Sequence, residues 1–310
     1  MTKTKIENDN SANEIYHIPV LFHEVIEGLC IKPDGIYVDC TFGGGGHSRG
    51  ILKQLSTKGK LIAFDQDEDA AKNVIDDKRI LFIHQNFKHL QKFLQLHKID
   101  KVNGLLADLG VSSHQFDEGC RGFSIRFDGP LDMRMDLRYP ITASDVIKQF
   151  TEQQLHKMFE KYGEVSNAKT LAKHIILNRN HSPLQTIEQF KVLISAVVKG
   201  NPNKYFAQVF QALRIEVNQE LQVLEEMLEQ LPNVMTKGGR VAIITFHSLE
   251  DRIVKQFFKG EQLQNKNPFE NNERKMDFKI ITKKPITATQ DELKSNSRSR
   301  SAKLRIFEKI

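Results

Sequence analysis

A chain of 310 residues, 39% hydrophobic and 27% charged, is long and apolar enough to bury one large core or two ordinary ones. No apolar run approaches the roughly 18 residues a membrane span needs. Three scattered cysteines with no Cys-x-x-Cys pair exclude a disulfide framework and a thiolate zinc site, and point to a reducing compartment, the cytoplasm. The net charge of +6 is unevenly spread: residues 271–310 carry +6 and 141–204 carry +4, whereas 1–140 and 205–270 carry −2 each. A solvated basic surface and a polyanionic partner both fit that division.

Residues 1–16 are polar and of mixed charge, and read as a disordered lead without a secretory signal. From Gly35 to Asp108, short β-branched runs alternate with amphipathic ones, the pattern of a parallel sheet with crossover helices. Strands are predicted at 36–39, 61–65, 80–83 and 104–108. The helices between them run through Ile51, Leu52 and Leu55, then 70–75, then Leu90, Phe93, Leu94 and Leu96. From 140 to 200 no strand candidate occurs. Thr151-x-x-Gln154 and Thr186-x-x-Gln189 read there as capping boxes, and 178–183 as a loop between helices. Asn201-Pro202 breaks the chain before one long helix at 205–231. Gly238-Gly239 ends that excursion, and 240–246 returns as a fifth strand. The segments 278–282 and 304–307 complete the sheet edge as an antiparallel pair. The predicted fold is therefore α/β: a doubly wound Rossmann-like sheet at 17–139 and 205–310, interrupted by an all-helical insertion domain at 140–204.

Asp39-Cys40-Thr41-Phe42-Gly43-Gly44-Gly45-Gly46-His47-Ser48 joins the first strand to its helix. Consecutive glycines let the backbone approach a ligand and adopt positive φ. The helix N-terminus beyond them offers unpaired N–H groups to an anion. Asp65 ends the second strand, where an acid accepts from both hydroxyls of a ribose. The dinucleotide spacing G-x-G-x-x-G fails, because its third position falls on Ser48 or Arg49, and no Gly-Lys-Ser/Thr of a P-loop exists. Asp39, directly ahead of the glycines, argues for a ligand bearing an amine rather than a pyrophosphate. S-adenosylmethionine has an amine, a carboxylate and a ribose. Phe87 offers an apolar wall for its adenine.

Several longer motifs then carry a resemblance. They are 39–48, Asp108-Leu109-Gly110-Val111-Ser112-Ser113, Arg121-Gly122-Phe123-Ser124, Asp128-Gly129-Pro130-Leu131-Asp132-Met133-Arg134-Met135, Phe210-Gln211-Ala212-Leu213-Arg214-Ile215 with Asn218, and Phe246-His247-Ser248-Leu249-Glu250-Asp251-Arg252. From about His17 to the C-terminus, the chain resembles the bacterial 16S ribosomal RNA cytosine-N4 methyltransferases of the RsmH (MraW) type. The resemblance implies S-adenosylmethionine as methyl donor and a cytosine of 16S ribosomal RNA, within a small-subunit particle, as acceptor. It also implies cofactor contacts at Gly45, Gly46, His47, Asp65, Phe87, Asp108 and Gln115. Gly44 stands where other members tolerate a larger residue, and 260–274 is shorter and more polar than in some relatives.

Asp108 ends the fourth strand, at the rim where ligands bind in such folds. It is the candidate catalytic residue, as acceptor for the cytosine amine or for the cofactor amine; capping the next turn is the plainer alternative. His247 and Glu250 fall in the expected loop after the fifth strand. Their spacing lacks the second histidine of a zinc site, so no metal is expected and a role in ordering the acceptor pocket is favoured. Arg121, Arg126, Arg134 and Arg138 interleave with Phe123 and Phe127. That pattern suits a splayed nucleotide, and equally suits pairing with Asp128, Asp132 and Asp136. The stretch 294–300, with Arg298 and Arg300, reads as an exposed loop able to reach an RNA backbone. A methyltransferase for a small molecule or a protein would share the cofactor half without using the basic segments. A non-catalytic RNA-binding factor would not need the Asp39, Asp65 and Asp108 set.

Overall fold

The computed structural model describes residues 19–112, 115–116, 119–261 and 277–310. The lead at 1–16, Ser113 and most of 260–274 lie outside them. Among the described residues, seven strands form one sheet: β1 (Ile36–Asp39), β2 (Lys60–Phe64), β3 (Ile80–Ile83), β4 (Val102–Asp108), β5 (Met235–Thr245), β6 (Phe278–Ile280) and β7 (Lys303–Lys309). Their order is β3-β2-β1-β4-β5-β7-β6. The first five run parallel, and β7 pairs antiparallel with both β5 and β6, as expected for the last two strands. Strand order reverses between β1 and β4. This switch point opens a crevice at the carboxyl ends of the strands.

Apolar side chains from the two faces of the sheet form separate clusters. Val38, Ile62, Leu105 and Ile243 point to one; Tyr37, Leu61, Leu106 and Ile244 point to the other. The alternation follows from the two-residue period of a strand. A third cluster, around Phe159, Phe190, Leu171 and Phe210, belongs to the helices that follow β4. Thr151 and Thr186 cap two of these helices with reciprocal boxes to Gln154 and Gln189. Thr142 with Asp145 forms another that the sequence reading passed over.

Four expectations need correction. The helix expected at 70–75 is a single turn, Glu68–Ala71, whose start is capped by Asp67. The long helix at 205–231 is two helices, Pro202–Asn218 and Glu220–Val234, parted at Gln219 in the left-handed region (φ 52°). Asn218 explains the break. Its amide accepts from Met135 N (2.7 Å) and donates to Met133 O (2.8 Å), so it fastens the helix end to the segment after β4. The fifth strand begins at Met235 and runs through Gly238-Gly239, which were expected to precede it. The extra residues are absorbed by a register shift opposite Val102 and Gly104, with Gly238 at φ 75°. The stretch 294–300 is no loop. It continues from a helix, Gln290–Ser295, into a 3-10 turn, Ser297–Ser301, with Asn296 and Ser299 buried.

Candidate active site

A cavity of about 760 Å³ fills the crevice at the switch point. That is in the upper part of the roughly 300–1,000 Å³ range of small-ligand sites. Gly46, His47, Asp65, Phe87, Asp108 and Gln115 line it; Gly45 is the one cofactor candidate that does not. Gly45 instead caps the helix Gly46–Gln54 at φ 73°, where a Cβ would also lie 2.8 Å from Phe42 Cζ. Gly44 has open space where a Cβ would stand.

Asp39 does not face the cavity, contrary to the expectation that it signals an amine ligand. It is 1% exposed, and its carboxylate accepts from Thr41 N (3.0 Å) and Ser48 Oγ (2.7 Å). Those bonds set the turn from β1 into the helix, which is why an acid is needed ahead of the glycines. Asp65 has a double task as well. Its two oxygens accept from Gly43 N (2.7 Å) and Asp67 N (2.9 Å), tying the glycine loop to the end of β2. Burial pushes its pKa up to about 6, against the pull of those two N–H groups. Each oxygen keeps a second lone pair for a ligand hydroxyl.

Asp108 is the least satisfied group in the cavity. Its backbone N–H donates to Thr41 Oγ1 (2.7 Å), which fixes the end of β4 against the glycine loop. Its Oδ1 is buried without a hydrogen-bond partner, and its Oδ2 lies 3.8 Å from His47 Nδ1. Burial, with the charges of Asp39 and Glu250 adding to it, pushes the carboxyl up to about 8. Burial also lowers His47 to about 4, so its ring is neutral. His47 Nε2 stands 3.1 Å from Val20 O; a carbonyl only accepts, so the proton is on Nε2. Nδ1 then turns a lone pair toward Asp108.

Gln115 holds the wall rather than reaching across it. Its amide donates to Asp67 and accepts from Ser112 N (3.0 Å). Asp67 in turn pairs with Arg121, whose side chain is 9% exposed. Arg121 also reaches Asp69 (3.1 Å), Arg134 O (3.0 Å) and Met135 O (3.1 Å). Arg134 pairs with Asp132 and Arg138 with Asp136, so internal pairing accounts for these three arginines. Arg121 chose partners far away in sequence, and Asp128 binds the backbone of Glu188 instead.

His247 lies in the short connection after β5, as expected, and caps the helix Ser248–Phe258; Glu250 falls in the first turn of that helix instead of in the loop. Its Nδ1 accepts from Glu250 N, while Glu250 Oε2 accepts from Phe246 N (2.8 Å) and His247 N (3.2 Å). Glu220 joins them closely enough that the three could each offer an atom to a cation. Arg214 already neutralises Glu220 through two bonds of 2.9 Å, which removes much of the pull on a metal.

The sequence reading did not assign Asn218, Glu220, Phe246, Asn296 or Arg298 to the cavity, yet all line it. Arg298 also lies over the ring of Phe116, 5.7 Å from its centre. Nothing in local spacing announces these residues; they converge from three distant parts of the chain.

The set fits S-adenosylmethionine. The buried, unpartnered Asp108 oxygen suits a cationic or N–H-bearing group, Asp65 suits a ribose, and half-buried Phe87 suits an adenine face. The first turn of the helix Gly46–Gln54 suits a carboxylate. Comparison with known proteins agrees. The MraW methylase family matches residues 14–310. Ribosomal RNA small subunit methyltransferase H of Flavobacterium johnsoniae is 50% identical over 298 residues, covering 95% of this chain and 98% of that protein. The protein of the same name from Cytophaga hutchinsonii is 50% identical over 301 residues, covering 95% and 100%. The one from Bacteroides thetaiotaomicron is 48% identical over 297 residues, covering 95% and 97%. With a Gly-rich loop, a strand-two acid and a strand-four acid around one cavity, and with the family matched over nearly its whole length, this chain belongs to the MraW methylase family.

Proposed function

We propose that this protein transfers a methyl group from S-adenosylmethionine to the exocyclic N4 amine of a cytosine in 16S ribosomal RNA, within a small-subunit particle in the cytoplasm. The observation that carries the reading is the unpartnered, buried Asp108 oxygen at the rim of β4, in a cavity that also holds the glycine loop and Asp65. Membership of a methylase family and close relatives named for small-subunit ribosomal RNA support the acceptor. The sheet domain carries the catalysis and the helical insertion serves the RNA, with the helix Pro202–Asn218 packing its Phe210 and Leu213 into the cluster of the insertion.

When bound, S-adenosylmethionine supplies an electrophilic methyl on a sulfonium. Gly46, His47 and Asp65 would hold its amino-acid and ribose ends and Phe87 would offer its adenine an apolar wall; Gly45 shapes the loop, and Gln115 fixes Asp67, whose N–H donates to Asp65. The cytosine nitrogen is a poor nucleophile because its lone pair is delocalised into the ring. Asp108 Oδ1 accepts an N4–H bond, holds the nitrogen as it becomes tetrahedral, and takes the proton it releases. Alignment supplies most of the rate, and the base must leave its stack to enter.

Labelled S-adenosylmethionine incubated with small-subunit particles and, separately, with cell proteins and metabolites tests the reading. Label is expected on RNA; label confined to protein or small molecules overturns it.

Asp65→Ala should weaken S-adenosylmethionine binding by a few kcal/mol, as charged hydrogen bonds are lost. In the parent, affinity should fall as pH drops through about 6, where Asp65 protonates. Calorimetry across that range checks both; unchanged affinity in a folded variant removes Asp65 from the ribose site.

The tail supports RNA binding unevenly. Arg298 and Arg300 were both expected on an exposed loop facing RNA, but Arg298 lines the cavity while Arg300 is exposed and does not. Arg300→Ala should therefore flatten the salt dependence of RNA binding by roughly one unit of slope, with no change in cofactor affinity. An unchanged slope means that Arg300 only solubilises the turn.

A further inference from the structure

We propose that Phe246 is the stacking platform for the acceptor base, an inference that rests on the RNA methyltransferase reading above. A cytosine drawn out of its stack must present its amine to Asp108 and cover one face of its ring. The segment after β4, Leu109-Gly110-Val111, has no aromatic side chain to offer.

The neighbouring strand supplies one. Asp108 of β4 is in register with Ile244 of β5, so Gly110 and Phe246, each two residues further on, stand side by side. A Cβ at Gly110 would lie 3.6 Å from Phe246 Cδ2, and Gly110 has φ +98°. The positive φ is what asks for glycine there, and it leaves the backbone beside Phe246 without a side chain. The Phe246 side chain is partly buried against the core cluster that contains Ile244 and Leu304, and the residue lines the cavity. Its backbone N–H is pinned by Glu250 Oε2, so the ring is carried on a fixed frame.

The strand order separates this aromatic from the other candidate. Phe87 follows β3 and Phe246 follows β5, on opposite sides of the glycine loop and Asp108 in the order β3-β2-β1-β4-β5. One cavity thus has an aromatic wall at each end, with the acid between them. The Phe87 end serves the adenosine, and the Phe246 end serves the base that receives the methyl.

Phe246→Leu keeps an apolar group against Gly110 and the core while removing the π face. It should lower kcat/KM for RNA by roughly 5- to 150-fold, the range of a lost base stack, with S-adenosylmethionine affinity unchanged. Phe246→Tyr should restore most of that loss. The chain contains no tryptophan, so Phe246→Trp creates a single indole. Its emission should change on binding protein-free 16S RNA that carries the acceptor cytosine, and not on binding the same RNA with an abasic residue there. A leucine variant with parental kcat/KM overturns the platform, as does an indole signal indifferent to the base while anisotropy reports binding. If the leucine variant loses cofactor affinity and activity together, Phe246 is merely structural and the proposal fails. If the parent places no methyl on RNA, the functional reading itself fails first, and is seen to.

Discussion

Asp108→Asn should give a folded, cofactor-binding protein whose single-turnover methyl transfer falls about 100- to 1,000-fold. The amide keeps the size of the carboxyl but cannot carry its charge or take the proton. In the parent, the rate should rise with pH as Asp108 ionises. Burial and the nearby Asp39 and Glu250 charges set that point at about 8 in the free protein, and a bound sulfonium lowers it. The asparagine variant should lose this limb of the profile. If Asp108 instead holds the cofactor amine, its variant will bind S-adenosylmethionine weakly and recover its rate at saturation. A parental rate throughout removes Asp108 from the chemistry.

The same substitution should stabilise the fold in alkali. A carboxyl whose folded pKa is raised from 3.8 to about 8 favours folding while it stays protonated. That contribution is full below the unfolded pKa, falls progressively as pH rises from 3.8, and is gone once pH has passed about 8. Asp108→Asn has no charge to bury, so its denaturant midpoint should match the parent's in acid, pull ahead of it across that window, and keep a constant lead above about 8. A reactive group held at the expense of stability is the usual trade in an active site.

Arg121→Ala should cost about 3–5 kcal/mol of folding stability, the toll of breaking a buried ion pair from one side. Arg121 and Asp67 are 9% and 5% exposed, so removing the guanidinium leaves a carboxylate with almost no water. The carbonyls of Arg134 and Met135 lose their donor as well. Because Asp67 is linked to Asp65 and Gln115, cofactor affinity should fall with stability. Urea unfolding measures the first and calorimetry the second. A loss below about 1 kcal/mol, as for an exposed pair, would mean that Asp67 is satisfied without Arg121.

Much of this was legible because local rules and tertiary structure agreed. The β-branched runs became β1 to β4, two Thr-x-x-Gln boxes became helix starts, and Asn201 capped a helix with Pro202 in its first turn. The glycine loop and Asp65 met at the cavity because a βαβ unit puts both at the carboxyl end of the sheet. What escaped was decided by long-range partners. Gln219 breaks a helix without glycine or proline, since Asn218 is held by residues more than 80 positions away. Asp39 turns inward because Thr41 and Ser48 claim it, and an acid before glycines looks the same in either case. Arg121 bypasses nearby aspartates for Asp67 and Asp69 across the fold. Phe246 and Arg298 reach the cavity only once β5 and the tail are in place.

In the proposed function, this cavity brings a methyl donor to the N4 amine of a 16S cytosine. Small-subunit particles lacking the modification, incubated with the protein and S-adenosylmethionine carrying a heavy methyl, can be digested to nucleosides and resolved by mass spectrometry. N4-methylcytidine bearing the heavy methyl, formed by the parent and nearly absent with Asp108→Asn, is the predicted result. A heavy methyl on ring carbon, on ribose or on another base would contradict the account.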